Sequence, residues 1–164
     1  MAGSGHIDPR SVDLEMLATA LADQGGWEHS WLFNPRTGET VFRSSDDPDV
    51  DPQTDAVDSG DGRLHVEPLP TWVWYQDMVD FTDQVSDERA SRRLARALNG
   101  KGAFRRFKDE LHQEYPDLLS TWYAFRDARA AARAVEWLRD NDLIDDDQLQ
   151  TLRHQHPEPP FPAT

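Results

Sequence analysis

The side chains best suited to chemistry are the cations and aromatic rings between Gly100 and Leu138. Cations bind phosphate and carboxylate groups, and rings next to arginines suit stacking on unpaired bases. We therefore predict an anion- or partner-binding surface made of eight residues: Lys101, Arg105, Arg106, Trp122, Tyr123, Arg126, Arg129 and Arg133.

A short Gly-Lys-Gly segment, Gly100 to Gly102, comes immediately before a predicted helix. Unpaired backbone N–H groups, the positive end of the helix dipole, Lys101 and Arg105 could converge there on an anion. The alternative is structural, because Gly100 can end the preceding helix and Gly102 can permit a tight turn. The segment is not a P-loop, since it lacks the glycine spacing and the Lys-Ser/Thr pair.

Three arginines, Arg126, Arg129 and Arg133, follow one face of the last long predicted helix at steps of three and four. Like charges at these spacings repel, so an acidic group is expected to offset them. The offset is provided either by an RNA or DNA backbone, by an acidic partner protein, or by carboxylates of the chain itself. The internal candidates are Asp80, Asp83, Glu136, Asp140 and an aspartate-rich loop.

The sequence contains no catalytic signature. There is no cysteine, no His-Glu-x-x-His run and no serine nucleophile elbow. Carboxylates at Asp109 and Glu110, or at Asp77 and Asp80, could still form a hydrolytic site with His112. We therefore predict no catalytic residue, metal ligand or cofactor, and keep a hydrolase as the second alternative.

Charge is distributed unevenly along this chain of 164 residues and net charge −14. Residues 1–85 carry 4 basic and 17 acidic side chains, residues 86–140 carry 12 and 9, and residues 141–164 carry 1 and 5. An evenly spread negative charge would argue against nucleic-acid binding, because phosphates are held by clustered Lys and Arg. The uneven distribution leaves that function open.

The domain organisation follows from composition. Residues 1–11 are predicted to be a flexible terminus, residues 12–140 a single domain, and residues 141–164 a short helix with a Pro-rich tail. Residues 44–62 are predicted to be a mobile acidic insert, because they offer too little apolar surface to offset the entropy of ordering. The aspartates of this insert do not match an EF-hand loop. Counted from Asp49, Thr54 stands at position 6, where glycine is needed, and Gly60 at position 12, where glutamate is needed.

Hydrophobic periodicity predicts the elements that position these groups. The first half shows a helix with a possible cap at Ser11, a hairpin over residues 27–43 and a third strand ending near Pro68. The second half shows helices that start at Pro70 and Ser86, a helix over residues 103–114, a long helix over residues 118–138 and a short one over residues 142–153. The fold class is therefore α+β, a small antiparallel sheet of about three strands packed on four to five helices.

Two of these helices have a face with a distinctive composition, one apolar and one basic. Trp74, Met78, Phe81 and Val85 form an apolar stripe that is typical of a core. The helix that starts at Ser86 crowds four arginines into two turns of its polar face: Arg89, Arg92, Arg93 and Arg96.

Several motifs together resemble an uncharacterised bacterial protein family, UPF0158. The resemblance covers residues 26–138, and it departs from the family pattern in the acidic insert and the tail. The motifs are Trp74-Tyr75-Gln76-Asp77-Met78-Val79-Asp80-Phe81, Gly100-Lys101-Gly102-Ala103-Phe104-Arg105-Arg106-Phe107, Tyr115-Pro116, Trp122-Tyr123-Ala124-Phe125-Arg126-Asp127 and Ala134-Val135-Glu136-Trp137-Leu138. The resemblance implies one α+β unit in a cytoplasmic bacterial protein, and it implies no activity.

The predicted function is a non-enzymatic binding or regulatory module that uses the Arg/aromatic surface, with the aspartate loop as an internal competitor for anions. An acidic protein or a nucleic acid is the expected partner, and an RNA- or DNA-binding protein is the first alternative. Neither a signal peptide nor an apolar run long enough for a membrane span is present, so we expect a cytoplasmic location without membrane contact.

Overall fold

A computed structural model describes residues 6–25, 29–44 and 63–162. Almost all of the predicted acidic insert, and with it the proposed competitor loop, lies outside the described residues. Within the predicted flexible terminus, Ile7 is buried and its N–H donates to the carbonyl of Leu143 over 2.8 Å.

The chain divides into two compact units, each built from two stretches of sequence. The sheet unit consists of residues 1–69 and 130–156, and the helical unit of residues 70–129 and 157–164. The predicted α+β class is confirmed, and the prediction of one domain over residues 12–140 stays a prediction.

The sheet unit holds helix α1 (Leu14–Ala22) and all strands of the described chain. These strands are β1 (His29–Phe33), β2 (Thr40–Ser44) and β3 (Leu64–Val66). Strand β1 is central and antiparallel to both neighbours, in the order β2-β1-β3, so that Trp31 lies opposite Phe42 on one side and Val66 on the other. The predicted hairpin and third strand are both present.

The turn of the hairpin is closed by local chemistry. The side chain of Asn34 accepts a 2.9 Å hydrogen bond from the N–H of Arg36, and the N–H of Asn34 donates to the carbonyl of Glu39. Gly38 has φ +80°, and a Cβ there would lie 2.4 Å from the carbonyl oxygen of Ser11. Glycine is therefore required by both backbone conformation and space.

The sheet unit also contains helix α6 (Asp146–Gln155) and the second half of helix α5 (Leu119–Asp140). Phe33 is fully buried, and its ring lies 5.3 Å from that of Trp137. Helix α1 is capped by Asp13, which accepts from the N–H of Met16 at 3.0 Å, and not by Ser11, which belongs to a preceding 3-10 turn.

The helical unit consists of α2 (Thr71–Gln84), α3 (Glu88–Ala97), α4 (Ala103–Glu114) and the first half of α5. Each begins and ends at a local signal. Asp87 caps α3 by accepting from two N–H groups, and α4 ends at Tyr115, just before a proline. The boundaries predicted there from the sequence are close to those observed.

Aromatic rings fill the core of the helical unit. The ring of Phe81 lies 5.2 Å from that of Trp122, 5.6 Å from that of Phe125 and 6.1 Å from that of Phe107. These are mostly edge-to-face contacts, which aromatic pairs prefer. The predicted apolar stripe of α2 therefore does face the core.

In the part of the chain that the structure describes, none of the helices is long and apolar enough to cross a membrane.

Candidate anion-binding surface of the helical unit

The strongest concentration of positive charge is a twenty-residue stretch from Arg89 to Lys108, which has eight basic and no acidic side chains. It forms α3, the loop after it and the first half of α4. Seven of its cations are exposed. Six of these, all except Arg106, are called the basic face: Arg89, Arg92, Arg96, Lys101, Arg105 and Lys108.

On α3, three arginines follow one solvent-facing stripe. Arg89, Arg92 and Arg96 are all exposed, whereas Ala90 and Leu94 on the opposite side are buried. The side chains of Arg89 and Arg96 make no hydrogen bond or ion pair with any described residue. Arg92 reaches only the carbonyl of Glu88, at 3.4 Å.

On α4 and the loop before it, the remaining cations of the basic face make one long ion pair with a carboxylate among the described residues. The side chain of Arg105 is 90% exposed and lies 3.9 Å from Asp109, a distance at which an exposed pair contributes little. Lys101 and Lys108 have no ion pair there. Phe104 lies on α4 next to Arg105, and its ring is 37% exposed, so the basic face also includes an apolar group.

Arg106, next to Arg105 in sequence, has a structural role. Its guanidinium donates to the carbonyls of Ala97 at 3.1 Å and Gly100 at 3.3 Å, and also to those of Asn99 and Lys101. These carbonyls lie at the end of α3 and in the loop, where Gly100 and Gly102 both have φ +78°. The observed geometry is the structural alternative for this segment, a helix end followed by a tight turn.

Arg93 is likewise paired within the molecule. Its Nε lies 2.6 Å from Glu110, a terminal nitrogen lies 3.4 Å from Glu114, and its guanidinium lies over the ring of Tyr115. Partial burial lowers the pKa of Arg93, but the charges of Glu110 and Glu114 outweigh it and raise that pKa. A groove of about 340 Å³ between α3 and α4 is lined by Arg93 and by both carboxylates and cations, so its charge is mixed.

The exposed flank of α5 adds a ring and a cation next to α4. Tyr123 is 38% exposed, and its hydroxyl lies 3.4 Å from Nε2 of His112 on α4. The guanidinium of Arg126 lies over the Tyr123 ring, 5.0 Å from its centre, and 3.2 Å from Asp127.

Arg129 faces inward and is held by three carboxylates. It lies 2.8 Å from Asp80, 3.8 Å from Asp77 and 2.5 Å from Glu158. Its guanidinium also lies 4.8 Å from the centre of the Phe125 ring. Burial lowers the pKa of Arg129, but the hydrogen bond and charge of Glu158, followed by those of Asp80, raise it on balance.

The eight residues that the sequence singled out therefore do not form one surface. Lys101 and Arg105 lie on the basic face, and Tyr123 and Arg126 lie on the exposed flank of α5. The other four are placed differently: Arg106 on loop carbonyls, Arg129 among carboxylates, Trp122 in the core at 4% exposure, and Arg133 half-buried in the stretch that belongs to the sheet unit.

Four residues of the surface were not assigned to it from the sequence: Arg89, Arg92, Arg96 and Lys108. The crowding of arginines on the polar face of α3 was visible, as was the absence of any Asp or Glu from residue 89 to residue 108. The uninterrupted basic stretch is the signal that could have placed them.

The carboxylates considered for hydrolysis are placed next to arginines. Asp109 faces Arg105, Glu110 faces Arg93, and Asp77 and Asp80 face Arg129. His112 makes its contact in the described chain with Tyr123. Among the described residues, no group of three or more His, Asp or Glu side chains is placed to hold a metal ion.

Comparison with known proteins gives a family match and a relative. The model of the family described as "Uncharacterised protein family (UPF0158)" matches residues 8–155. UPF0158 protein PA5073 of Pseudomonas aeruginosa is 34% identical over 137 residues, which cover 82% of this chain and 86% of that protein. No solved structure matches the chain.

Proposed function

The chain belongs to the uncharacterised protein family UPF0158, and we propose that it is a non-enzymatic binding module that holds single-stranded nucleic acid on the basic face of the helical unit. The proposal replaces the Arg/aromatic surface predicted from the sequence with a set of exposed cations on α3 and α4, and it retains Tyr123 and Arg126 at the edge.

One observation carries the proposal: the six cations of the basic face make a single ion pair with described carboxylates, the exposed 3.9 Å contact of Arg105 with Asp109, although the protein has 31 acidic residues. Like charges three and four positions apart on a helix cost a few tenths of a kcal/mol per pair. An external polyanion would remove this repulsion and would release the counterions that phosphates otherwise hold.

The exposed rings favour nucleic acid over an acidic protein as the ligand. Phe104 directly precedes Arg105 on α4, and Tyr123 lies under Arg126 on α5. Unpaired bases stack on aromatic rings and on guanidinium planes, and each stacked base contributes about 1–3 kcal/mol. An acidic peptide would use the charges but not the ring faces.

The location that accompanies this proposal is the bacterial cytoplasm, where single-stranded RNA is abundant. The relative from Pseudomonas aeruginosa is bacterial, and a chain without cysteine needs no oxidising compartment.

The test is binding of a labelled single-stranded oligonucleotide, measured by fluorescence anisotropy at several salt concentrations. The double variant Arg92→Gln/Arg105→Gln should bind more weakly than the wild type. For single strands the slope of log affinity against log salt is about −0.7 per neutralised phosphate, so two lost contacts should flatten it by about 1.4. The matched control is Arg10→Gln/Arg36→Gln, which removes two exposed charges from the sheet unit.

Equal affinity and equal salt slope in the two double variants would contradict the proposal. Competition separates the ligand classes: unlabelled single-stranded RNA should displace the probe at lower concentrations than duplex DNA or poly-glutamate. Stronger displacement by poly-glutamate would instead identify an acidic protein as the partner.

A further inference from the structure

Residues 157–162, the described part of the Pro-rich tail, form neither helix nor strand and make two side-chain contacts within the helical unit. Glu158 accepts a 2.5 Å hydrogen bond from Nε of Arg129. The ring of Phe161 lies 5.1 Å from that of Phe81 and 5.9 Å from that of Phe125. An acid and a ring therefore hold the tail at two points.

The receiving groups are positioned independently of the tail. Arg129 is held by Asp80 at 2.8 Å and by the face of the Phe125 ring, so its guanidinium remains oriented when Glu158 leaves. Phe81 and Phe125 also pack on Trp122 and belong to the core. A preorganised cation next to an apolar surface is a general way to bind an acidic, aromatic peptide at low entropic cost.

The sequence between the two contact points favours an extended backbone. Pro159 and Pro160 separate Glu158 from Phe161, and three residues of polyproline II rise about 9 Å. Prolines fix this extended form in advance and have no N–H that must find a partner. This is the basis on which aromatic grooves recognise Pro-rich segments.

The tail leaves part of its groove unfilled. Next to Phe161 there is a cavity of about 200 Å³ whose walls include Val85, Ala90, Tyr115 and Leu118. Its lining is mixed, because Asp87, Glu114 and Asp117 lie beside these apolar groups, and it has room for an additional side chain. The tail is thus a ligand that fits the groove incompletely.

We propose that this groove binds an extended Pro-rich segment of a partner protein, with an acidic residue three positions before an aromatic one, and that residues 157–162 occupy it as an internal competitor. The family-matched region, residues 8–155, includes Phe81, Phe125 and Arg129 and ends before the tail begins. The groove thus lies in the part shared with the family model, and the tail is appended to it. This surface is separate from the basic face and does not depend on it.

The test uses a labelled peptide with the sequence of residues 156–162 and the chain truncated after His156. The truncated chain should bind the peptide. The full chain should bind it about tenfold more weakly if the tail has an affinity of about 100 µM, because a short tether gives an effective concentration in the millimolar range. Peptides with Glu158→Gln or Phe161→Ala should lose most of the binding.

Two substitutions on α5 locate the peptide. In the truncated chain Arg129→Gln should abolish binding, whereas Arg126→Gln, three residues away on the exposed flank, should leave it unchanged. The variant Arg92→Gln/Arg105→Gln should also bind the peptide normally, so that failure of the nucleic-acid proposal and failure of this one are distinguishable.

A second variant tests the proposal even if truncation unfolds the protein. Full-length Glu158→Gln/Phe161→Ala retains the tail but removes both anchors, and it should bind the peptide as the truncated chain does. Absence of binding in both forms while circular dichroism shows a native fold would overturn the proposal. So would loss of the native fold in both, because the tail would then be an integral part of the core.

Discussion

The two units have similar numbers of basic side chains but differ in how many of these side chains are paired with carboxylates. The sheet unit has 7 basic and 20 acidic side chains, and the helical unit has 10 and 11. In the sheet unit Arg139 lies 2.6 Å from Asp146, and Arg153 lies 2.9 Å from Glu136. In the helical unit acidic and basic side chains are nearly balanced, yet five exposed cations of the basic face have no carboxylate partner among the described residues. Net charge therefore says little about binding, and the pairing of each cation says more.

Burial separates the arginines of the helical unit into two groups. Arg93 and Arg129 are partly buried, and both contact carboxylates and an aromatic ring. Arg92 and Arg96 are exposed and have no carboxylate partner within the described chain. A charge that is removed from water must be paired, whereas a hydrated one need not be. The hydrated group is the one that can exchange water for a ligand.

The sheet unit has its own partly buried charge, and it has the opposite sign. Asp23 accepts hydrogen bonds from the indole of Trp31 at 2.8 Å and the N–H of Gly25 at 2.9 Å, and lies 2.6 Å from Nε2 of His29. A pocket of about 290 Å³ next to these groups also includes His65. Each unit thus has one central charged group with several partners, an anion in one and a cation in the other.

The largest effect is expected in the aromatic core of the helical unit. Phe81→Ala should lower the free energy of unfolding by about 3–5 kcal/mol, because a fully buried ring with several aromatic neighbours leaves a cavity. Phe161→Ala should cost about 1–2 kcal/mol, since that ring is only partly buried. Urea denaturation measures both. Equal losses would mean that the tail is part of the core.

The second-largest loss of stability is expected at Arg129, the central cation of the helical unit. Arg129→Met should cost between the ~1 kcal/mol typical of exposed ion pairs and the ~3–5 kcal/mol of a fully buried one, because Asp77 is 1% exposed and would lose the cation facing it. Arg126→Met, on the same helix with an exposed partner, should cost less than about 1 kcal/mol. A similar cost for both would show that burial does not distinguish these arginines.

The central anion gives a prediction about pH. The hydrogen bond from Trp31 lowers the pKa of Asp23; burial opposes this, and Gly25 and His29 add to the lowering. Its stabilisation is therefore fully present above the unfolded-state value of 3.8 and is lost as the pH falls below it through the lower folded value. Asp23→Asn should cost about 1–2 kcal/mol at pH 7.

Urea denaturation between pH 7 and pH 2.5 measures this difference. The gap between the wild type and Asp23→Asn should narrow as the wild-type carboxyl becomes protonated. Asp83→Asn is the control, because Asp83 is exposed and makes no hydrogen bond or ion pair with any described residue. A gap that stays constant down to pH 2.5 would show that Asp23 does not stabilise the fold through its charge.

Features that depend on a few neighbouring residues could be predicted from the sequence. Asp87 at the start of α3, the Tyr115-Pro116 end of α4 and the Pro-Arg-Thr-Gly turn of the hairpin are decided within a few residues, and each is found close to where it was predicted. The α+β class follows from these elements.

Long-range contacts decided what the sequence could not. Arg129 meets Asp80 and Glu158, which are 49 and 29 residues away, and nothing in the spacing of α5 selects them over other acids. Arg105 and Arg106 are adjacent and both exposed, yet only Arg106 donates to carbonyls at the end of α3 and in the loop after it. Trp122 was assigned to the surface by residue type, yet Trp122 and Phe125, three positions apart on one face of α5, are both buried in the core.

The smallest expected effect is a gain in stability, whereas every variant above loses stability. It therefore tests the difference between structural and available cations most directly. Arg92→Gln/Arg96→Gln should raise the free energy of unfolding by a few tenths of a kcal/mol at low salt, since like charges at these spacings repel and no carboxylate in the described chain is lost as a partner. The same variant should lose nucleic-acid affinity. Added salt should erase the gain in stability, because salt screens exposed charges. A loss of stability would instead show that these arginines support the fold, and the division between structural and available cations would fail.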